Sequence, residues 1–150
     1  MSEQETIERA HEDEREGKSP STQAGEFVRE EFHHVRQGRH GARSPRQAIA
    51  IGLSKARRAG VKLPPPRRGK ASESVRRHAA RDYEKGQRGD GRPSARRSRA
   101  ISRALRRERR GAASTSAISR QTRGAARRRT SSERSAAARK AARTRRGDLL

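Results

Sequence analysis

The segment SPRQAIAIGLSKARRAGVKL, residues 44–63, constrains the fold more than any other stretch. Signals for a helix start, an apolar stripe and a helix stop coincide in it. Ser44 can cap, Pro45 suits the first helical position, and Gln47 completes a Ser-x-x-Gln capping box. Ala48, Ile49, Gly52, Leu53 and Ala56 recur at spacings of three and four, which puts them on one helix face. Gly60 supplies a left-handed stop, and Val61 is placed to fold back on Ala56 or Leu53. Lys55, Arg57 and Arg58 fall on the opposite face.

A second helix is predicted just upstream, over residues 21–37. Ser21 or Thr22 caps it, Ala24, Phe27, Val28, Phe32 and Val35 form its stripe, and Gly38 stops it. The connection Arg39–Arg43 is short, so the two helices should pair as a hairpin. Ala48, Gly52 and Ala56, each four apart, would let the backbones approach closely. Ile, Leu, Val and Phe number only sixteen of 150 residues, and nine of these lie between Phe27 and Leu63. That total is below the ~20% at which a highly charged chain is expected to be largely disordered. The hairpin over 21–63 is therefore the one credible core, near the lower limit for independent folding, and a homodimer through it is expected.

The run from Phe32 to Gly60, FHHVRQGRHGARSPRQAIAIGLSKARRAG, resembles a family of small basic microbial proteins known only as a domain of unknown function. That family is marked by a helix end of the form hef-x-x-G followed by R/K-QAIAIALSEA. Gln47-Ala48-Ile49-Ala50-Ile51-Gly52-Leu53-Ser54 matches the box. The loop before the box is shorter here, and Lys55 stands where an acid is common. The resemblance covers residues 32–60 and implies a domain boundary, not an activity.

Charge divides the chain. Residues 1–37 hold ten acids and five bases, net −5, whereas residues 38–150 hold 35 bases and seven acids, net +28. Residues 1–20 read as an acidic flexible tail: Ser2 and Glu5 can form a capping box, but Ile7 is the one bulky apolar residue after Met1. Residues 64–71, opening with Pro64-Pro65-Pro66, read as a stiff, basic linker. A short helix over 72–86 follows, with Val75, Ala79 and Tyr83 in a stripe and Gly86 as its stop. Gln87 to Pro93 reads as a glycine-rich loop; its Arg88-Gly89-Asp90 lacks the secretion signal that an integrin ligand would need.

Residues 87–150 form an arm rich in Arg, Ala and Ser. Ala100-Ile101-Ser102-Arg103 recurs as Ala117-Ile118-Ser119-Arg120, and breaks fall at Gly111, near Gly124 or Ser131-Ser132, and at Gly147. Ala and Arg favour helix, yet each block has too few bulky residues to pack alone. The arm is expected as coil that becomes helix when phosphates neutralise it. The fold class expected is mostly α, a small helical hairpin followed by a largely disordered or conditionally helical basic arm.

The functional expectation follows from the arm. The candidate nucleic-acid contacts are Arg57, Arg58, Lys62, Arg67, Arg68, Lys70, Arg96, Arg97, Arg99, Arg103, Arg106, Arg107, Arg109, Arg110, Arg127, Arg128, Arg129, Arg143, Arg145 and Arg146. Guanidinium groups bind phosphate bidentately and release counterions, which gives salt-dependent, sequence-tolerant binding. Single-strand binding uses aromatic stacking, and the basic region has only Tyr83, so duplex DNA, or structured RNA held by its phosphates, is favoured over a stacking platform, and DNA is the partner expected ahead of RNA. In composition the arm resembles histone-like tails. Pro66-Arg67-Arg68-Gly69-Lys70 and Gly91-Arg92-Pro93 resemble fragments of the AT-hook without matching it fully. The alternative is a protein-interaction or assembly module tethered to RNA or ribosomes by the arm. A membrane-surface role is disfavoured because the arm lacks the Trp, Phe and Leu of an interfacial helix.

Other constellations are weaker. His33, His34 and His40 lie near Glu30 and Glu31, and Glu30-x-x-His33 has the spacing of half a carboxylate metal site, but exposed helix-end histidines and no metal are the expectation. No paired acids suggest an enzyme, and no cofactor is expected. Arg128-x-x-Ser131 and Arg129-x-x-Ser132 fit basic-directed kinase sites. Cys is absent, which excludes disulfides and thiolate metal sites. Without an apolar run or signal peptide, the expected location is cytoplasmic, and nucleoid-associated if the source is bacterial.

Overall fold

A computed structural model describes residues 2–89 and 91–148. Asp90, and with it the end of the Arg88-Gly89-Asp90 tripeptide, lies outside the described residues. The protein is mostly α. Seven α-helices follow one another: α1 Glu3–Arg15, α2 Pro20–Arg36, α3 Pro45–Arg58, α4 Glu73–Arg88, α5 Ala95–Arg106, α6 Thr115–Arg127 and α7 Ser131–Asp148, with a 3₁₀ turn at Gly111–Ala113. Among the described residues no strand forms, only a bridge between Arg68 and Ala71. No described helix is long and apolar enough to cross a membrane.

The helix ends follow from local chemistry. Ser2, Ser19, Ser44, Ser72, Ser94 and Ser114 each accept a backbone N–H three residues on, satisfying a donor the helix itself cannot. Thr130 and Glu133 cap α7 reciprocally. Pro20 and Pro45 occupy the first helical positions of α2 and α3. Ser19, not Ser21 or Thr22, caps α2, because Pro20 has no N–H to leave unsatisfied. At the other ends, Gly17, Gly38 and Gly60 have φ of 73°, 76° and 100°. Behind Gly60, Val61 N–H donates to Ala56 O and Gly60 N–H to Arg57 O, both at 3.1 Å, which is the Schellman arrangement.

The core is thin and built largely from backbone proximity. One cluster joins Ala10, Ala24, Phe27, Ala56 and Val61, with Ile7, Leu53 and Leu63 against it. The other joins Val35, Ala42, Ala48, Ala112 and Ala113, with Phe32 against it. Seven of these ten buried residues are alanine, so helices must come close for the rest to touch. Gly52 permits this at the α2–α3 crossing: a Cβ there would lie 2.6 Å from Val28 Cα. The fully buried apolar side chains of Phe27 and Val35 each contribute about 1.5–3 kcal/mol.

Four expectations change. Residues 3–15 are a helix laid on α2 instead of a flexible tail, because Ile7 and Ala10 reach the Phe27 cluster and small Thr6 buries completely. Helix α4 runs through Gly86 to Arg88 and is stopped by left-handed Gly89; Gly86 lies against the Arg57 carbonyl, where a side chain would not fit. Val75 is 51% exposed, so the stripe of α4 reduces to buried Ala79 and half-buried Tyr83. The arm is helical, and part of it belongs to the core. Gly41 N–H donates to Leu105 O and Ala42 N–H to Arg109 O, both at 2.8 Å, and Arg36 Nε donates to Ala113 O at 3.2 Å. Helix α1 and Ala112-Ala113 cover part of the hairpin.

Gly52→Ala is expected to cost about 1–3 kcal/mol, since its methyl meets backbone and pushes the helices apart. Gly25→Ala, at a helical glycine with nothing within 4 Å, is expected to gain about 0.5–1 kcal/mol. Urea unfolding of both variants checks this; a loss no greater at Gly52 than at Gly25 contradicts the close crossing.

A pH effect follows from the α1–α2 seam. Burial first, and then the Asp13 carboxylate, push the Glu26 pKa up. Asp13 Oδ2 and Glu26 Oε2 are both buried without a hydrogen-bond donor, while Lys18 Nζ holds Asp13 Oδ1 at 3.1 Å. A raised carboxylate pKa favours the folded state when the group is protonated, and that contribution is lost as pH rises through the folded pKa. Glu26→Gln should therefore raise Tm at neutral pH, by about 0.5–1 kcal/mol of stability, and give no gain below the ordinary glutamate range. Thermal unfolding at both pH values checks it.

Candidate nucleic-acid interface

Residues 91–150 carry twenty bases against three acids, Glu108, Glu133 and Asp148, net +17. Helix α5 buries only Leu105, which leaves Arg96, Arg97, Arg99, Arg103 and Arg106 exposed around it. Arg107, Arg109 and Arg110 continue this surface where the chain docks onto the α2–α3 loop; the Arg110 guanidinium lies over Gly38. Arg127, Arg128 and Arg129 are exposed at the end of α6, and Arg143, Arg145 and Arg146 near the end of α7. The folded platform fixes where α5 ends and α6 begins through Leu105, Ala112 and Ala113.

One of the three arm acids, Glu133, is held locally. Glu133 accepts from Thr130 N–H at 2.8 Å and pairs with Lys70 Nζ at 3.2 Å; the Thr130 backbone hydrogen bond is the main reason its pKa is lowered. Lys70 therefore shares its charge with an acid of the arm. Lys62, Arg67 and Arg68 are exposed along the linker, and Arg58 is half-buried with Nε enclosed and without an acceptor.

Arg57 is a correction. The sequence placed it on the solvent face; it is buried, 7% exposed, and donates through Nε to Leu63 O and through Nη2 to Pro64 O, each at 3.1 Å. Burial pulls its pKa down while Asp82 nearby pushes it back up. Its work is to tie the linker to the end of α3. Arg76, on α4, holds the next part of the linker, its Nε donating to Pro66 O at 3.0 Å. Lys55, also placed on the solvent face, pairs with the fully buried Glu31.

Paired arginines stand out in the sequence, and isolated ones on the same helices were missed beside them. Arg92, Arg120, Arg123, Arg134 and Arg139 are exposed too, with Arg123 Nη2 donating to Ser119 Oγ at 2.9 Å and Arg134 Nη1 to Arg129 O at 2.8 Å. Helical spacing on α6 and α7 was the available signal. Lys140 contacts Ser21 Oγ and, with Lys18 and Arg143, lines a groove between α7 and the α1–α2 turn.

Arg57→Gln should cost about 1–3 kcal/mol through the two carbonyls it leaves behind and leave the salt dependence of duplex binding unchanged. Arg97→Gln should do the reverse. Unfolding and binding curves on both variants separate the roles; a fall in salt slope for Arg57→Gln contradicts its structural placement.

No curated protein and no solved structure matches the chain significantly. Residues 20–68, from α2 through α3 into the linker, match a family of unknown function, DUF6496. That span contains residues 32–60, where the QAIAI box lies, and over this third of its length the chain is similar to that family.

Proposed function

We propose that this is a non-catalytic, architectural nucleic-acid-binding protein that holds the phosphate backbone, duplex DNA in preference to RNA, with little sequence preference. The observation that carries this reading is the exposure of the arginines on α5, α6 and α7, with only three acids among them. Such a surface binds a polyanion by neutralising phosphates and releasing counterions. Tyr83, the sole aromatic of the basic region, is half-buried, so no stacking platform for single strands is offered. A compact helical platform of α1–α4 presents this surface in the manner of a histone-like protein.

The arm's order is part of the proposal. Helix α5 buries one residue, and α7 exposes most of its side chains. Helices of 12 and 18 residues with so little packing gain stability when phosphates cancel the repulsion between their arginines. Bound nucleic acid would hold α5 and α7 in place, and the free arm would fray.

Replacing Arg127, Arg128 and Arg129 together with Gln tests the assignment. The slope of log affinity against log salt for duplex DNA should flatten by ~0.9 for each phosphate that the variant no longer neutralises. An unchanged slope would remove this cluster from the interface, and tighter binding to single strands than to duplex would overturn the duplex preference.

A further inference from the structure

At the end of α2, Glu31 and His34 lie three residues apart on one helix face, the Glu-x-x-His spacing that helical bundles use for metals. The next register, Glu30-x-x-His33, is not the pair the fold brings together. His40, from the following loop, completes a cluster in which one ligand atom of Glu31, His34 and His40 lies within 4.8 Å of the other two. We propose that these three residues bind one divalent transition-metal ion of the zinc type.

The geometry is that of a site rather than of a charge cluster. Glu31 Oε2 and His40 Nε2 stand 3.2 Å apart. Two ligands each ~2.0–2.1 Å from a tetrahedral ion are ~3.4 Å apart. His40 Nδ1 lies 2.9 Å from Gly41 O; a carbonyl only accepts, so Nδ1 carries the proton. The Nε2 lone pair of the neutral ring then points at a carboxylate oxygen, and only a proton or a cation between them removes the repulsion. A backbone carbonyl fixing the far nitrogen is how metal-binding histidines are held.

The surroundings fit. Lys55 Nζ holds the other oxygen, Oε1, of Glu31 and leaves Oε2 for the ion. Glu30 and Glu31 are both fully buried, and Glu31 Oε2 has no hydrogen-bond donor. Glu30 Oε1, 3.6 Å from His34 Nε2, adds negative charge beside the same nitrogen. Arg39 Nη1 donates to His34 Nε2 at 3.3 Å; it is exposed, and it swings into solvent when the ion arrives. Two imidazoles and one carboxylate suit zinc-like ions, whereas magnesium prefers an all-oxygen shell. Bound metal would lock the end of α2 to the loop on which Leu105 and Arg109 dock.

Titration calorimetry and thermal unfolding of the full chain with zinc chloride test the proposal. One zinc per chain should bind near pH ~7.5, raise Tm, and be released near pH ~5.5 as imidazoles protonate. His34→Ala and His40→Ala should each weaken binding by at least the ~10–100-fold that losing an outer-shell partner costs, while His78→Ala, on exposed α4 surface, should change nothing. Should His40→Ala disturb folding, His34→Ala alone decides. No zinc uptake overturns the proposal. So does stabilisation by magnesium equal to that by zinc, or zinc binding that survives loss of both histidines.

Discussion

Helices α2 and α3 cross where Gly52 faces the Val28 backbone, and the rest of the molecule depends on how near they come. A chain with sixteen bulky aliphatic and phenylalanine residues cannot fill a wide interhelical space. It closes the space instead. Alanine at positions 24, 48 and 56 then makes contacts that larger residues make in other proteins, and Phe27 and Val35 become fully enclosed. The same device recurs outside the hairpin. Gly41 lies against the Glu108 carbonyl and Gly86 against that of Arg57, so the arm and α4 attach backbone to backbone.

This economy of apolar surface shapes the charge distribution. Acids gather in α1 and α2, and several are buried: Asp13 sits against Lys18 of the following turn, Glu30 against His34 of its own helix and Glu31 against Lys55 of α3. Burial raises the Glu30 pKa, with Lys55 opposing that shift and Glu31 adding to it. Four bases of the platform, Lys18, Lys55, Arg57 and Arg76, are held in such pairs or by the linker carbonyls. Those of α5–α7 are mostly not, and they remain on the surface, where a polyanion can reach them. Arg57 and Arg76 thus serve the fold, holding the linker, and are set apart from the exposed arginines of α5–α7.

The sequence showed the hairpin because its signals are local. Ser44, Pro45 and Gly60 act through bonds to near neighbours, and each does in the fold what its chemistry suggested, whereas Gln47 Oε1 accepts the Arg43 N–H instead of closing a capping box on Ser44. Contacts between distant segments left fainter traces. Ile7 and Ala10 looked too few to anchor α1, because their partner, Phe27, belongs to another helix. Ala112 and Ala113 were hidden in an Ala-rich arm whose other alanines are mostly exposed. Gly86 read as a helix stop, since a requirement for close approach and one for positive φ look alike in a sequence. Arg57 lay on the face opposite the stripe, yet the linker folds back over that face and encloses it.

That exposed arginines on this platform bind phosphate backbone is the central claim. Measuring the affinity of the full chain for a duplex DNA across rising salt tests it most directly. Neutralisation of several phosphates predicts a straight log–log line, with affinity falling by about 10³-fold or more between ~50 and ~200 mM salt. Absence of binding at ~50 mM, or an affinity that hardly changes over that range, would contradict it.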